Sequence, residues 1–508
     1  MQKRAAMVRW LASVLAVLGL GAGAAPAADC PQWGERHSRN MVSPETHLPE
    51  TFDPATGKNV TWRVPLGTRT FATPIVAAGR VLIGTNNACP RNPRHKGDRG
   101  VLMCLDESTG RLHWQLVVPK RPGDKYQDWP YIGICSSPTV ENGLAYVVTN
   151  RGEVVCLDMD GLADGNDGPF RDEADFMTPH GGPRVKVSPN DADIIWVFDT
   201  VKQAGTYPHD SPHASILIDG PFLYLNTSNG VDNTHRKIRR PEAPALIVLD
   251  KATGRLVARD GERLSPRTFH CTWSSPSLGG VGRRRLVFFG GPDGVCYAFE
   301  ALKAASPHAR VATLAKVWSF DCDPEAPKKN VHAYVRNREK GPSVIKGMPV
   351  YHDGRVYVAV GGDIWWGKRK AWLKCIDASG SGDVTASGLI WSYPLVKHSC
   401  STPAISGGLV YIADCGHGLH CIDAKTGRAV WTHETKQEIW GSPLVADGKV
   451  YIGTRRRVLW VFAAGRRKKV LATIRMDGAL HGTVTAANGV LYLTTMARLY
   501  AIGKTAGK

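Results

Sequence analysis

The chain has 508 residues, 43% of them hydrophobic and 21% charged, and this balance excludes a disordered chain. Its length leaves either several ordinary domains or one large repeat array. The formal net charge of +19 favours anionic partners, and there is no C-x-x-C-H haem attachment, C-x-x-C zinc pair, G-x-S-x-G elbow, P-loop or H-E-x-x-H to support those chemistries.

Residues 1–28 read as a secretory signal. Lys3, Arg4 and Arg9 form the basic end, "WLASVLAVLGL" the apolar middle and "AAPAA" the small-residue cleavage region. The apolar run is short for a transmembrane helix, and no later segment qualifies. Asp29 directly before Cys30 argues against a lipoprotein cleavage site. Export to the periplasm or the extracellular space is therefore expected, with no transmembrane segment. Removing the signal takes away three basic residues and no acid, leaving +16. Export, with no reader motif, also argues against a nucleic-acid partner.

Residues 29–58 form an N-terminal extension. From Asn59, "NVTWRVPLG" reads as a fourth strand without the other three. Copies of one unit then start near Phe71, Cys135, His213, Trp273, Gly347, Cys400, Trp440 and His481. The clearest is "STPAISGGLVYIADCGHGLHCIDAKTGRAVWTHE", four short alternating runs divided by turns. Asn142-Gly143, Asp353-Gly354, Asp447-Gly448 and Asn488-Gly489 supply two-residue hairpin turns between the first two runs. "CLDESTGRLHW", "VLDKATGRLVA" and "CIDAKTGRAVW" place an Asp-x-x-Thr-Gly turn between the third and fourth. In the last of these, Asp423 and Thr426 should hydrogen-bond the turn, Gly427 should take a conformation closed to a Cβ, and Trp431 should pack between repeats. Cys104, Cys156, Cys375 and Cys421 share one slot and read as small buried fillers rather than disulfide partners.

The last copy ends after "GVLYLTTMARLYAIG" without a fourth strand, and residues 504–508 are a tail. The strand at Asn59 would complete that copy. The fold expected for residues 59–503 is all-β: an eight-bladed β-propeller of four-stranded antiparallel blades, its ring closed by N- and C-terminal strands in one blade.

The "GxVY" and "CxDAxTGxxxW" marks and the eightfold count together resemble the pyrroloquinoline quinone (PQQ) repeat propellers, over residues 59–502. Within them the chain is similar to exported bacterial propellers that share "DGNDGPFRDE", "TSNGVD" and "WGSP". The resemblance implies the quinoprotein alcohol dehydrogenase-like superfamily, whose scaffold serves quinoprotein dehydrogenases and outer-membrane assembly propellers alike. The dehydrogenase branch implies PQQ held with calcium beneath a disulfide of two adjacent cysteines. No Cys-Cys pair exists here. The branch's catalytic Asp and its calcium-binding Glu and Asn match no motif in this chain, so no catalytic residue is assigned.

If first strands line the axis, the residue opening each copy stands at the channel mouth. Those residues are Phe71, Cys135, Pro212, Trp273, Lys346, Cys400, Trp440 and His481, and this slot varies where structural slots repeat. His213, His270 and His398 lie close by. One reading is axial packing. The other is a ligand site, with Trp273 and Trp440 as stacking surfaces and Lys346, His481, His398 and His270 as anion partners. Cys135 and Cys400 belong to opposite blades and should not form a disulfide. A His/Cys transition-metal site is a further option, although its ligands would come from separate blades.

Basic turns in blades 1, 3, 5 and 7 ("PRNPRHKGDRG", "HRKIRRPEA", "DIWWGKRKAW" and "TRRRV") share the face of the mouth and should make it an anion-attracting funnel. On the opposite face Asp158, Asp160, Asp164, Asn166 and Asp167 offer hard oxygen ligands suited to a structural calcium, or form an Asx-rich turn.

The function expected is a monomeric binding or scaffolding module whose partner is an anionic small molecule, an acidic glycan or an envelope protein. The alternative is a PQQ-dependent alcohol or sugar dehydrogenase with an external electron acceptor. A purely structural propeller with a filled axis is the third. PQQ and calcium are the only cofactors suggested.

Overall fold

Short alternating runs ended by tight turns make small antiparallel sheets, and repeating them radially packs their faces on one another and leaves only short edges. In a computed structural model, which describes residues 28–304 and 310–503, the chain forms eight such sheets around one axis. Residues 1–27, which the sequence leads us to expect as a signal, and the tail 504–508 lie outside the described residues.

Blade 6 shows the plan. Its strands Ala404–Ser406, Leu409–Ala413, Gly418–Asp423 and Ala429–Glu434 pair antiparallel in chain order. In blade 8, Thr485–Ala487, Val490–Thr494 and Arg498–Ile502 are completed by Val60–Pro65, which pairs antiparallel through Val64 and Leu499. The ring is therefore closed by the two ends of the chain, as expected. Blades 3 and 4 each carry an added two-residue parallel strand, Ala312–Thr313 and Gly382–Asp383.

Each of the four Asn-Gly or Asp-Gly pairs has both residues at positive φ, for example 52° and 76° at Asn142 and Gly143. That is the type I′ turn whose twist matches a hairpin. In the Asp-x-x-Thr-Gly turn of blade 6, the Thr426 N–H and hydroxyl both donate to Asp423 Oδ1, at 3.0 and 2.9 Å. Gly427 sits at φ 70°, and a Cβ there would fall 2.6 Å from the Trp391 ring.

That ring explains the recurring tryptophan. The outer-strand indole of one blade lies on the turn of the next and donates to its backbone. Trp391 Nε1 donates to Ala424 O at 3.0 Å, Trp62 to Glu107 O at 2.9 Å and Trp196 to Lys251 O at 3.1 Å. The motif is a latch between blades. Cys104, Cys156, Cys375 and Cys421 are fully buried and all cysteines are free thiols.

The N-terminal extension crosses one end of the axis and touches every blade. Cys30 pairs with Val76, Pro31 O accepts from Val140 N–H, and His37 O accepts from Leu278 N–H. Ser38 O accepts from Tyr351 N–H, Asn40 exchanges two hydrogen bonds with Ile405, and Val445 N–H donates to Met41 O. Ser43 Oγ reaches Ala486 O at 3.4 Å. Arg39 is wholly buried and donates to Pro276 O, Trp33 O, Ser215 Oγ and Ser215 O at 3.0–3.2 Å. The extension stoppers the channel.

Candidate functional site

The other end of the axis holds a cavity of about 680 Å³, within the range of small-molecule sites. Seven of the eight residues that open the copies line it: Phe71, Cys135, Trp273, Lys346, Cys400, Trp440 and His481. Pro212 gives its place to His213, and His270 joins the wall. Trp33 of the extension lines the cavity from the stoppered end. His398 is not on the wall. It lies buried behind it, with donor atoms within 4.8 Å of those of Cys415 and Glu438.

Aromatic rings run around the wall edge to face. Phe71 meets His481 at 5.2 Å, His481 meets Trp440 at 5.2 Å, Trp440 meets Trp365 at 5.9 Å and Trp365 meets Trp273 at 5.5 Å. Trp365 is 37% exposed. Arg455 lies 4.4 Å from the centre of the Trp440 ring and pairs with Glu438, which also accepts from Trp440 Nε1 at 3.0 Å.

Lys346 is not a free cation. Its Nζ is 3.0 Å from Asp363 Oδ2 and 4.0 Å from the centre of the Trp273 ring. Burial alone would lower the ammonium; Asp363, with the Cys271 and Cys400 thiols, outweighs it and holds Lys346 above its ordinary range. Burial would likewise raise Asp363, but Lys346 and His270 keep it well below the carboxylate range. The two form a charged buried pair.

The histidines expected as anion partners are electrostatically different from that expectation. Burial lowers His481 to about 3 and His398 to about 4, and His213 to about 4. Burial therefore disfavours the charged form of these rings and makes them weak counter-charges for an anion.

The four basic turns contribute unevenly. Arg455 and His235 reach the cavity wall, joined by Arg69 from the loop before blade 1. Arg91 donates instead to Pro65 O, and Lys368 is buried against Asp323. Besides the paired Lys346, the basic side chains on the cavity wall are Arg69 and Arg455, the latter paired with Glu438.

Sequence reading took Trp365, Trp366 and the buried partner Asp363 only as parts of a basic turn at the mouth, and it missed the wall residue Asp210. It also missed a three-histidine group. Loop residues His209 and His270 are fully buried, and His235, from the turn between the second and third strands of blade 3, is half-buried. Their donor nitrogens lie within 4.8 Å of one another. Burial, then the neighbouring His270 and His235, lowers His209 to about 2. The polar run "YPHDSPH" before blade 3, out of keeping with the other copies, is the signal that could have revealed it.

The acidic loop is split. Asp158, Asp160 and Asp164 bring carboxylate oxygens within 4.8 Å of one another, and Asp160 also lies 3.6 Å from Arg80. Asn166 and Asp167 make contacts beside this group. The Asn166 amide donates to Glu173 Oε2, and the Asp167 N–H to Asp193 Oδ2, both at 2.7 Å.

The family described as outer membrane protein assembly factor BamB matches residues 47–260 and 369–508. Quinohemoprotein alcohol dehydrogenase ADH IIB of Pseudomonas putida is 29% identical over 125 residues, which span 22% of this chain and only 16% of that enzyme. Among solved structures, BamB from Moraxella catarrhalis superposes with a TM-score of 0.53 at 13% identity, over 87% of this chain and 99% of that one. A europium-containing methanol dehydrogenase gives 0.60 at 11% identity, over 93% and 98%. At such identities the structures share the fold alone.

Proposed function

The chain belongs to the outer membrane protein assembly factor BamB family of PQQ-repeat propellers, and from that premise we propose that it is an exported binding module whose axial cavity takes a flat, anionic ligand or partner group. The observation that carries this reading is the cavity itself. It is stoppered at one end, walled by Phe71, Trp273, Trp365 and Trp440, and flanked by the Arg69 and Arg455 guanidiniums. Stacking on the rings and charge-assisted hydrogen bonds from the guanidiniums would favour a planar carboxylate over a neutral sugar. Export follows from the basic, apolar and small-residue order of residues 1–28.

A second reading, a PQQ-dependent oxidoreductase, is favoured by the 125-residue match to a quinohemoprotein alcohol dehydrogenase. A planar tricarboxylate fits these walls. When bound, PQQ would supply two-electron oxidation of an alcohol or sugar, with an external acceptor. This chain's part would be to stack the ring system on Trp273 or Trp440 and neutralise carboxylates with Arg69, since Arg455 is already paired with Glu438. The calcium of the dehydrogenase branch fits less well: the cavity-wall acid Asp210 stands beside imidazoles and the buried Asp363 is paired with Lys346, so hard oxygen donors are scarce.

The test is a titration of the purified protein with PQQ, with and without calcium, and in parallel with uronic-acid oligosaccharides, read by tryptophan fluorescence. Saturable quenching by either ligand that is lost in Trp440→Ala and Trp273→Ala supports the cavity as the binding site. PQQ binding followed by turnover of an alcohol with an artificial acceptor would move the assignment to the oxidoreductase. Absence of binding by any anion across the micromolar range would overturn the small-ligand reading.

A further inference from the structure

Buried imidazoles are stable neighbours when their ring nitrogens find partners. The group at the edge of the cavity does not meet that condition. Neither ring nitrogen of His209 nor of His270 has a well-aligned hydrogen-bond partner, although both residues are fully buried. Carboxylates stand near but off line. Asp210 oxygens are 3.3 Å from His209 Nε2 and 3.4 Å from His270 Nε2, and Asp363 Oδ2 is 3.2 Å from His270 Nδ1. Each unpartnered buried polar atom costs on the order of 1–3 kcal/mol. Four such ring nitrogens gather in one place on two adjacent loops, with carboxylates beside them rather than aligned to them.

The third ring completes the arrangement. His235 packs edge-on to His209 with centroids 4.9 Å apart and lies 5.3 Å from His270, while His209 and His270 are 4.8 Å apart. Nitrogens from all three lie within 4.8 Å of one another. His235 and Asp210 face the cavity.

We propose that His209, His235 and His270 form a binding site for a borderline divalent first-row cation of the zinc class, with a coordination position open to the axial cavity. Three imidazoles and one open position are the donor set of a reactive rather than a purely structural zinc site. Nitrogen donors select against calcium and magnesium, which take oxygen. Metal–nitrogen bonds of about 2.0–2.1 Å set tetrahedral ligand atoms roughly 3.4 Å apart, so the rings must close by about an ångström, a movement that side-chain torsions of the loop residue His235 can supply. Asp210 compensates the charge of the ion. Asp363 orients His270 through its other nitrogen, the usual outer partner of a ligating imidazole. The Lys346–Asp363 pair on the same wall would thereby be tied to the ion. The site does not depend on the organic ligand proposed above, and the ion would bind whether or not PQQ or a glycan does.

The test uses the full exported chain, stripped with a chelator and titrated with Zn²⁺ by calorimetry and with Co²⁺ by visible absorbance. One equivalent should bind, and cobalt should show the d–d bands of a four-coordinate nitrogen and oxygen site without a thiolate charge-transfer band. Affinity should fall at least about a hundredfold in His235→Ala and in His270→Ala, beyond the tenfold to hundredfold typical of losing an outer partner. His235 is half-buried on a turn, so its variant should keep the circular dichroism of the parent. His398→Ala, which removes the separate His398–Cys415–Glu438 group, should leave affinity unchanged. Absence of saturable binding up to millimolar metal would overturn the proposal. So would binding that persists in His235→Ala and His270→Ala, or a thiolate band that disappears in His398→Ala.

Discussion

At the stoppered end of the channel Arg39 is fully buried and each terminal nitrogen and Nε finds an oxygen in line; at the open end His209 and His270 are equally buried and find none in line. Both ends place polar side chains on the axis of the same ring. At the first, burial lowers the guanidinium to about 9, which still leaves it charged at neutral pH, held by carbonyls from three parts of the chain. At the second, the polar atoms are arranged toward a space. A propeller has to fill its axis, and the contrast separates the end where filling is the purpose from the end where filling is incomplete.

Mutations of Arg39 and of the unpartnered histidine His209 should differ in sign. Arg39→Ala leaves the carbonyls of Trp33, Ser215 and Pro276 without their donor and unlocks the extension from blades 3 and 4. A loss of about 3–5 kcal/mol is expected, in line with breaking a buried charged network, read as a drop in the denaturant midpoint. Arg39→Lys should restore little, because an ammonium cannot reproduce the planar fork. A small effect for Arg39→Ala would mean that the extension rests on the ring without stabilising it.

Lys346→Met should come next, since it strands the Asp363 carboxylate in the interior; roughly 3 kcal/mol is expected for breaking a buried pair. The double variant Lys346→Met, Asp363→Leu should recover most of that loss. Failure to recover would show that Asp363 matters chiefly through His270. His209→Leu, tested in metal-free protein, should be neutral or stabilising by about 1–2 kcal/mol, because it removes two unpartnered buried nitrogens. If it destabilised as strongly as Arg39→Ala, the two ends would be alike and the histidines would be structural.

How far these features could be read from sequence follows from how they are built. The blades were legible because each uses a local device that repeats: Asn-Gly or Asp-Gly in a type I′ turn, and an Asp that caps its own Thr three residues on. The mouth was legible through departure from the repeat, which placed Phe71, Trp273, Trp440 and His481 on one wall. What stayed hidden depends on partners far apart in sequence. Asp363 reaches Lys346 from the end of a different strand, and His209, His235 and His270 come from three separate loops. His398, adjacent in sequence to the mouth, turns away from it. The extension carries no periodicity to read, because its main partners are backbone groups of blades spread along the chain.

The repeated turn supplies the control for the comparison, a polar group that is satisfied but exposed. Thr109, then Ser108, hold Asp106 down at about 2; Arg466, then Thr426, do the same for Asp423. The unfolded carboxyl titrates near 3.9, so the folded value is depressed. Such a group stabilises the fold above its unfolded pKa, and that contribution disappears as pH falls from about 4 through about 2. Asp106→Asn with Asp423→Asn keeps the acceptor oxygen of each turn but removes the titration. The variant's melting midpoint should fall less between pH of about 4 and 2 than the parent's, and the difference should shrink in high salt because both sites face water. The effect should be the smallest of those predicted, since solvent screens what burial would amplify. Identical acid limbs would mean that the turns are held by their geometry alone, and that charge matters only where the chain buries it.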